Sequence, residues 1–182
     1  QGELFNAQRF ARSLGVSGHT ISRYLDILEK LLLVRTLQPW SVNAGKRLVK
    51  SPRPFVRDSG ILHALLNLKT MDALRSHAVS GKSWEGFVIE SILAHLSDKW
   101  QYSYYRTQAG AEVDLILEGP KSQVWAVEIK RTLSPKISKG FILGSQDVGA
   151  THRFFVHAGN DRFPLSKNTQ AIGIVEFIEK VL

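Results

Sequence analysis

Two short apolar segments, residues 112–117 and 123–131, flank a Gly119-Pro120 turn signal and constrain the fold more than any other part of the chain. Both are strand-like, and the turn between them makes them neighbours. Side chains alternate faces along a strand. Glu112, Asp114 and Ile116 then share one face of the first strand, with Val113, Leu115 and Leu117 on the other. In the second strand, Val124, Ala126, Glu128 and Lys130 share a face opposite Trp125, Val127 and Ile129. Pairing the strands brings Asp114, Glu128 and Lys130 together beside apolar residues. Carboxylates crowded in such a setting repel each other and are costly to bury unless a cation or proton offsets them. Mg2+ or Mn2+ would do so, since a hard cation takes one or two carboxylates plus waters and phosphate oxygens. A lysine two residues along can reach the reacting phosphate, so the pattern points to phosphodiester hydrolysis. Plainer roles exist: Lys130 as a solvated strand-end charge, Glu128 paired with Lys130 or Arg106, Asp114 capping a turn.

The surrounding pattern gives these strands a context. A helix over 83–97 and a strand over 102–106 precede them. A glycine-interrupted helix over 136–148 and a strand over 153–157 follow, then a short strand at 171–174 and a final helix from Val175. Glu85 lies on the first of these helices beside Val88 and Ile89, which turns it inward. Glu90, hemmed in by Phe87, Leu93 and Ala94, is the alternative helix carboxylate. Gln146 reads as solvent-facing on the later helix.

The first part is helical. Residues 4–13 form one helix, Gly15-Val16-Ser17-Gly18 breaks it, and Ile21, Leu25, Leu28, Leu31 and Leu32 give the three- and four-residue spacing of a second. Ser17 is placed to cap that second helix. Two helices across such a turn make a helix-turn-helix unit. Strands over 34–40 and 47–50, with Asn43-Ala44-Gly45 as the turn, would add a wing; 55–57 is extended and a helix starts at Ser59. Residues 69–82 are polar and lack a period, so the boundary falls near Ser80, dividing 1–80 from 81–182. Residues opening the second helix of such a unit face the major groove. His19, Thr20, Ser22 and Arg23 stand there, and Lys46, Arg47 and Lys50 on the wing could neutralise phosphates. The same cations would also suit packing between domains. His19 has no second histidine at ligand spacing.

Charge agrees with this division. Residues 1–80 hold 12 Lys and Arg against 5 Asp and Glu; residues 81–182 hold 12 against 11. The net +8 is therefore concentrated in the first part, where it favours polyanions such as DNA. The chain has no cysteine, which excludes disulfides, thiolate zinc sites and cysteine nucleophiles and suits a reducing cytoplasm. No apolar run approaches the length of a membrane span. The start lacks a methionine and is already apolar at Leu4 and Phe5, so the chain reads as a fragment of a longer protein.

Asp114 followed by Glu128-Ile129-Lys130, in a helix-strand-strand-strand-helix-strand order, resembles the PD-(D/E)xK signature of restriction-endonuclease-like nucleases. Val113 stands in place of the proline. The resemblance implies an α/β (α+β) fold: a winged helix-turn-helix followed by a restriction-endonuclease-like αβββαβ core with a mixed central sheet. It implies catalytic roles for Asp114, Glu128, Lys130 and Glu85, with Mg2+ or Mn2+ held by Asp114, Glu128 and Glu85. A wider likeness rests on Leu14-Gly15-Val16-Ser17, the run from Tyr24 to Glu29, the run from Gly45 to Pro52, and Gly110-Ala111-Glu112-Val113-Asp114. These resemble a C-terminal domain of unassigned function that follows AAA-type ATPase modules in bacteria and archaea. That likeness implies an N-terminal ATPase module as partner in the same polypeptide, and ATP only there, since this chain has no G-x-x-x-x-G-K-[ST] loop. An oligomer is compatible. Three readings compete: a metal-dependent nuclease, a nuclease-fold scaffold that docks DNA or protein without turnover, and a winged-helix transcriptional regulator.

Overall fold

The structure, a computed structural model, describes residues 1–40 and 48–182. These form two compact units: Gln1–Leu37 with Ser51–Phe87, and Gln38–Lys50 with Val88–Leu182. Among the described residues the chain is mixed α/β, with seven α-helices and a six-stranded mixed sheet.

In the first unit, α1 (Ala7–Leu14) and α2 (Gly18–Lys30) flank a turn in which Gly15 adopts φ 65°, a left-handed helix end that glycine accommodates without strain. Asn6 caps α1 through the amide of Arg9, and Ser17 caps α2 through the amide of Thr20. Strand β1 (Val34–Leu37) follows and pairs antiparallel with β2 (Arg53–Val56). The expected second wing strand at 47–50 is therefore not the partner of β1. Arg53 and Phe55 point inward from β2 and are almost completely buried, which fixes that register. Leu48 instead bridges Thr107 within the second unit. The Asn43-Ala44-Gly45 turn, Lys46 and Arg47 lie outside the described residues. Helix α3 (Ser59–Leu65) is capped by Asp58, and the polar stretch after it contains a short helix, α4 (Met71–Ser76). Helix α5 (Ser80–His95) begins three residues before its expected start.

Of the five apolar positions that define α2 in the sequence, only Ile21 is buried. Leu31 and Leu32 are more than 60% exposed, and Leu14 and Leu65 are similarly open. Helical spacing therefore marks an apolar stripe here without marking a core.

The second unit is built on the sheet, with strand order β3-β4-β5-β6-β8-β7. Strands β3 (Gln101–Arg106), β4 (Glu112–Gly119) and β5 (Gln123–Lys130) are antiparallel neighbours, and β6 (His152–His157) and β8 (Thr169–Gly173) continue parallel to β5. The edge strand β7 (Phe163–Ser166) has no signal in the sequence beyond its flanking polar residues. Helix α6 (Lys139–Asp147) covers one face, sharing a buried cluster with Val113, Ile116, Ala126 and Phe155 through Phe141. Helix α7 (Ile174–Lys180) covers the other, where Phe177 meets Trp125 and Phe154.

The glycines that seemed to interrupt α6 are the means of its close approach. A Cβ at Gly140 would lie 2.7 Å from the carbonyl oxygen of Gly110, and one at Gly144 would lie 3.1 Å from that of Glu112. Gly140→Ala is expected to destabilise the chain by about 1–2 kcal/mol in urea unfolding, because the clash with fixed backbone outweighs the small gain in helix propensity. An unchanged or raised midpoint would mean that α6 does not sit this close.

Candidate metal and phosphate site

Strand β4 pairs with β5 so that Leu115 faces Val127 and Ile116 faces Ala126. That pairing runs from Gly119 to Leu115, and Asp114, the next residue of β4, lies close enough to Glu128 for its charge to act on that carboxyl. On its other side, β4 carries one extra residue relative to β3. Ser103 pairs with Ile116, whereas Tyr105 pairs with Val113. This is a β-bulge at Asp114 and Leu115. Strict alternation, the basis of the sequence reading, breaks at this point: Val113 and Ile116 both join the cluster under α6. Bulges re-aim side chains, and this one falls on the aspartate of interest.

Asp114 and Glu128 are both buried, each with about 6% exposure. The amide of Ile129 donates to Asp114 Oδ2 at 3.0 Å, which ties the aspartate to the strand bearing Glu128. Lys130 Nζ lies 2.7 Å from Glu128 Oε1, and its side chain reaches solvent. Glu128 Oε2 is buried and has no hydrogen-bond partner among the described residues. Of the two partners open to Glu128 from sequence, Lys130 is the one used; Arg106 pairs with Glu112 at 3.5 Å. Burial first, and the Asp114 charge second, push the Glu128 carboxyl up to about 8, with Glu112 adding to the rise. The Lys130 ammonium pulls in the opposite direction and does not outweigh them. Glu112 was not singled out from sequence as part of the site; its place two residues before Asp114 was the available signal.

Each remaining candidate is described within its own unit. Glu85 belongs to the first unit, where it forms an ion pair with the buried Arg53 and a second with Lys82 Nζ at 2.5 Å. Arg53 also donates through Nε to the carbonyl of Gly2 at 2.8 Å. Among the described residues no group of three or more His, Cys, Asp or Glu side chains could hold a metal ion. Glu90, half-buried on α5, is the helix carboxylate belonging to the second unit. Gln146 is exposed on α6. At the start of α2, His19 and Arg23 are exposed and Thr20 and Ser22 half-buried. The Thr20 hydroxyl lies 2.9 Å from that of Ser17, and the Ser22 hydroxyl donates to the carbonyl of Gly18. Lys50 is exposed and belongs to the second unit.

The donor set fits a hard cation. It offers two converging carboxylates, one with an unpartnered buried oxygen, and a flanking ammonium that reaches solvent. Two carboxylates suffice for Mg2+, which keeps several waters or substrate oxygens.

A mixed α/β protein with a six-stranded sheet and a buried Asp-Glu pair flanked by a solvent-reaching lysine is thus the class that fold and site define. Residues 80–177 match the domain of unknown function DUF4143, and the chain belongs to that family. Residues 1–72 match a second domain of unknown function, DUF8612. Two uncharacterized proteins, Rv2008c of Mycobacterium tuberculosis and Mb2031c of Mycobacterium bovis, are each 42% identical over 171 residues, 94% of this chain. The chain spans 38% of the length of each. No solved structure matches it. Among the described residues, no helix is long and apolar enough to cross a membrane.

Proposed function

We propose that the second unit is a metal-dependent nuclease module of the PD-(D/E)xK kind, with DNA as substrate. The observation that supports this best is the buried pair Asp114 and Glu128 on adjacent strands, with Glu128 Oε2 unpartnered among the described residues and Lys130 beside it. Asp114 and Glu128 would hold Mg2+ or Mn2+. Such an ion, when bound, lowers the pKa of water and offsets charge on phosphate oxygens. Asp114, anchored by the Ile129 amide, is fixed in direction. To act as a ligand Glu128 would give up its proton, and the Lys130 ammonium would be placed to contact a phosphate oxygen of the substrate. The first unit, with β1, β2 and the exposed His19 and Arg23, serves in this reading as a winged-helix element contacting DNA. The longer polypeptide would place an AAA-type ATPase module before it, in the cytoplasm.

Metal binding tests the site directly. The folded chain keeps a proton on Glu128 that the unfolded chain releases at the ordinary carboxylate pKa. Without metal, stability therefore falls as pH rises from about 4.5 to about 8. Metal must displace that proton, so Mn2+ affinity is expected to rise by up to about tenfold per pH unit across the same window. About one proton should be released, measurable by calorimetry in buffers of different ionisation enthalpy. No uptake at millimolar Mg2+ or Mn2+ would leave the fold as a scaffold without turnover.

A further inference from the structure

At the strand ends opposite Lys130, the second unit carries a cationic trough. Two concavities of about 400 and 580 Å3 share Arg153, Ser166, Lys167 and Asn168 and so run into one another around the β7–β8 turn. Arg153 and His152 enter from the start of β6, Arg162 from the segment before β7, and Lys180 from the end of α7. By register, His152 sits beside Trp125 and His157 beside Lys130. The level of His152 is therefore five residues, about 16 Å, along the strands from that of Lys130.

The composition of the trough is one-sided. None of its lining residues is acidic. Four of the twelve Lys and Arg in residues 81–182 collect here, in a part of the chain whose charges otherwise nearly cancel. Arg153 is held through Nε by the Ser145 hydroxyl at 2.7 Å, and Arg162 by Gln170 Oε1 at 2.6 Å. Glu176 lies 3.5 Å from Arg162. Among the described residues no carboxylate pairs with Arg153, Lys167 or Lys180. Two anchored guanidinium groups and two exposed ammonium groups, interleaved with the Ser166 hydroxyl and the Asn168 amide, suit successive phosphate groups. The extended shape favours a chain of phosphates over one small anion. Concavities of this volume admit single strands, whereas a duplex some 20 Å wide spans them.

We propose that this trough binds the backbone of a single nucleic-acid strand, as a site separate from the carboxylate pair. It does not depend on cleavage occurring at Asp114 and Glu128. The test is fluorescence anisotropy with a labelled oligothymidylate of about 15 nucleotides on the whole chain, in EDTA, across a salt series. The double variant Lys167→Glu/Lys180→Glu is expected to weaken binding at least tenfold and to flatten the salt slope by about 1.4. Lys99→Glu/Lys121→Glu, also exposed and not among the residues lining the trough, should change affinity less than about twofold. Circular dichroism checks the fold, and Lys167→Gln/Lys180→Gln gives a milder neutral pair with the same direction of effect. Equal affinities for the trough and control variants would overturn the assignment. Displacement of the oligonucleotide by micromolar pyrophosphate would overturn it too, in favour of a small-anion site.

Discussion

Asp114→Asn and Lys130→Met are each expected to reduce metal-dependent cleavage of plasmid DNA at least ~1,000-fold, while leaving the chain folded. Asparagine keeps an oxygen that can accept from the Ile129 amide at the position of Asp114 Oδ2. It also removes the negative charge that helps to raise the Glu128 carboxyl, so the apo chain loses little stability. What it loses is half of the charge that attracts a divalent ion, and Mn2+ affinity should fall with activity. Lys130→Met acts differently. It leaves both carboxylates in place and removes the ammonium from Glu128 Oε1. Glu128 then holds its proton more tightly, so metal loading shifts to higher pH, and the substrate phosphate loses its cation. A kinetic comparison at saturating Mn2+ separates the two: metal should partly rescue Asp114→Asn and not Lys130→Met. Equal residual cleavage by both variants at all metal concentrations would exclude this site as its source.

The second large effect concerns stability. Glu85→Ala is expected to cost about 3–5 kcal/mol of unfolding free energy, because it strips the counter-ion from a guanidinium that is about 1% exposed. The Arg53 Nε bond to the carbonyl of Gly2 persists, but a neutral acceptor does not offset a buried charge. Replacing both partners with apolar residues, as in Arg53→Met/Glu85→Leu, should recover much of the loss. Metal affinity of whatever Glu85→Gln protein folds should match the parent. If instead stability holds and Mn2+ binding is lost, Glu85 is a ligand and its pairing with Arg53 is secondary.

The contrast between Glu85 and Glu128 shows how far the sequence could be read. Both looked like inward-facing acids on apolar elements. For Glu128, the partner lay two residues away and the aspartate lay across one tight turn, so closeness along the hairpin was enough to bring them together even though alternation breaks at Asp114. For Glu85, the partner is Arg53, 32 residues earlier and on a strand, β2, whose pairing with β1 the sequence reading did not foresee. A buried arginine leaves no periodic trace. The bulge at Asp114 and Leu115 was equally hidden, because it shows only as a mismatch between two strand pairings.

The sequence by itself determined the order of helices and strands from α5 to β6, the cap at Ser17, and the neighbourhood of Asp114, Glu128 and Lys130. Each of these depends on interactions within a few residues or across one turn, where backbone geometry leaves little choice. Tertiary structure alone decided the pairing of β1 with β2, the engagement of Glu85 by Arg53, the close seat of α6 on its glycines and the gathering of cations around the β7–β8 turn. Those features join segments far apart in the chain, and only competition among burial, charge neutralisation and steric fit selects one partner over the many that composition permits.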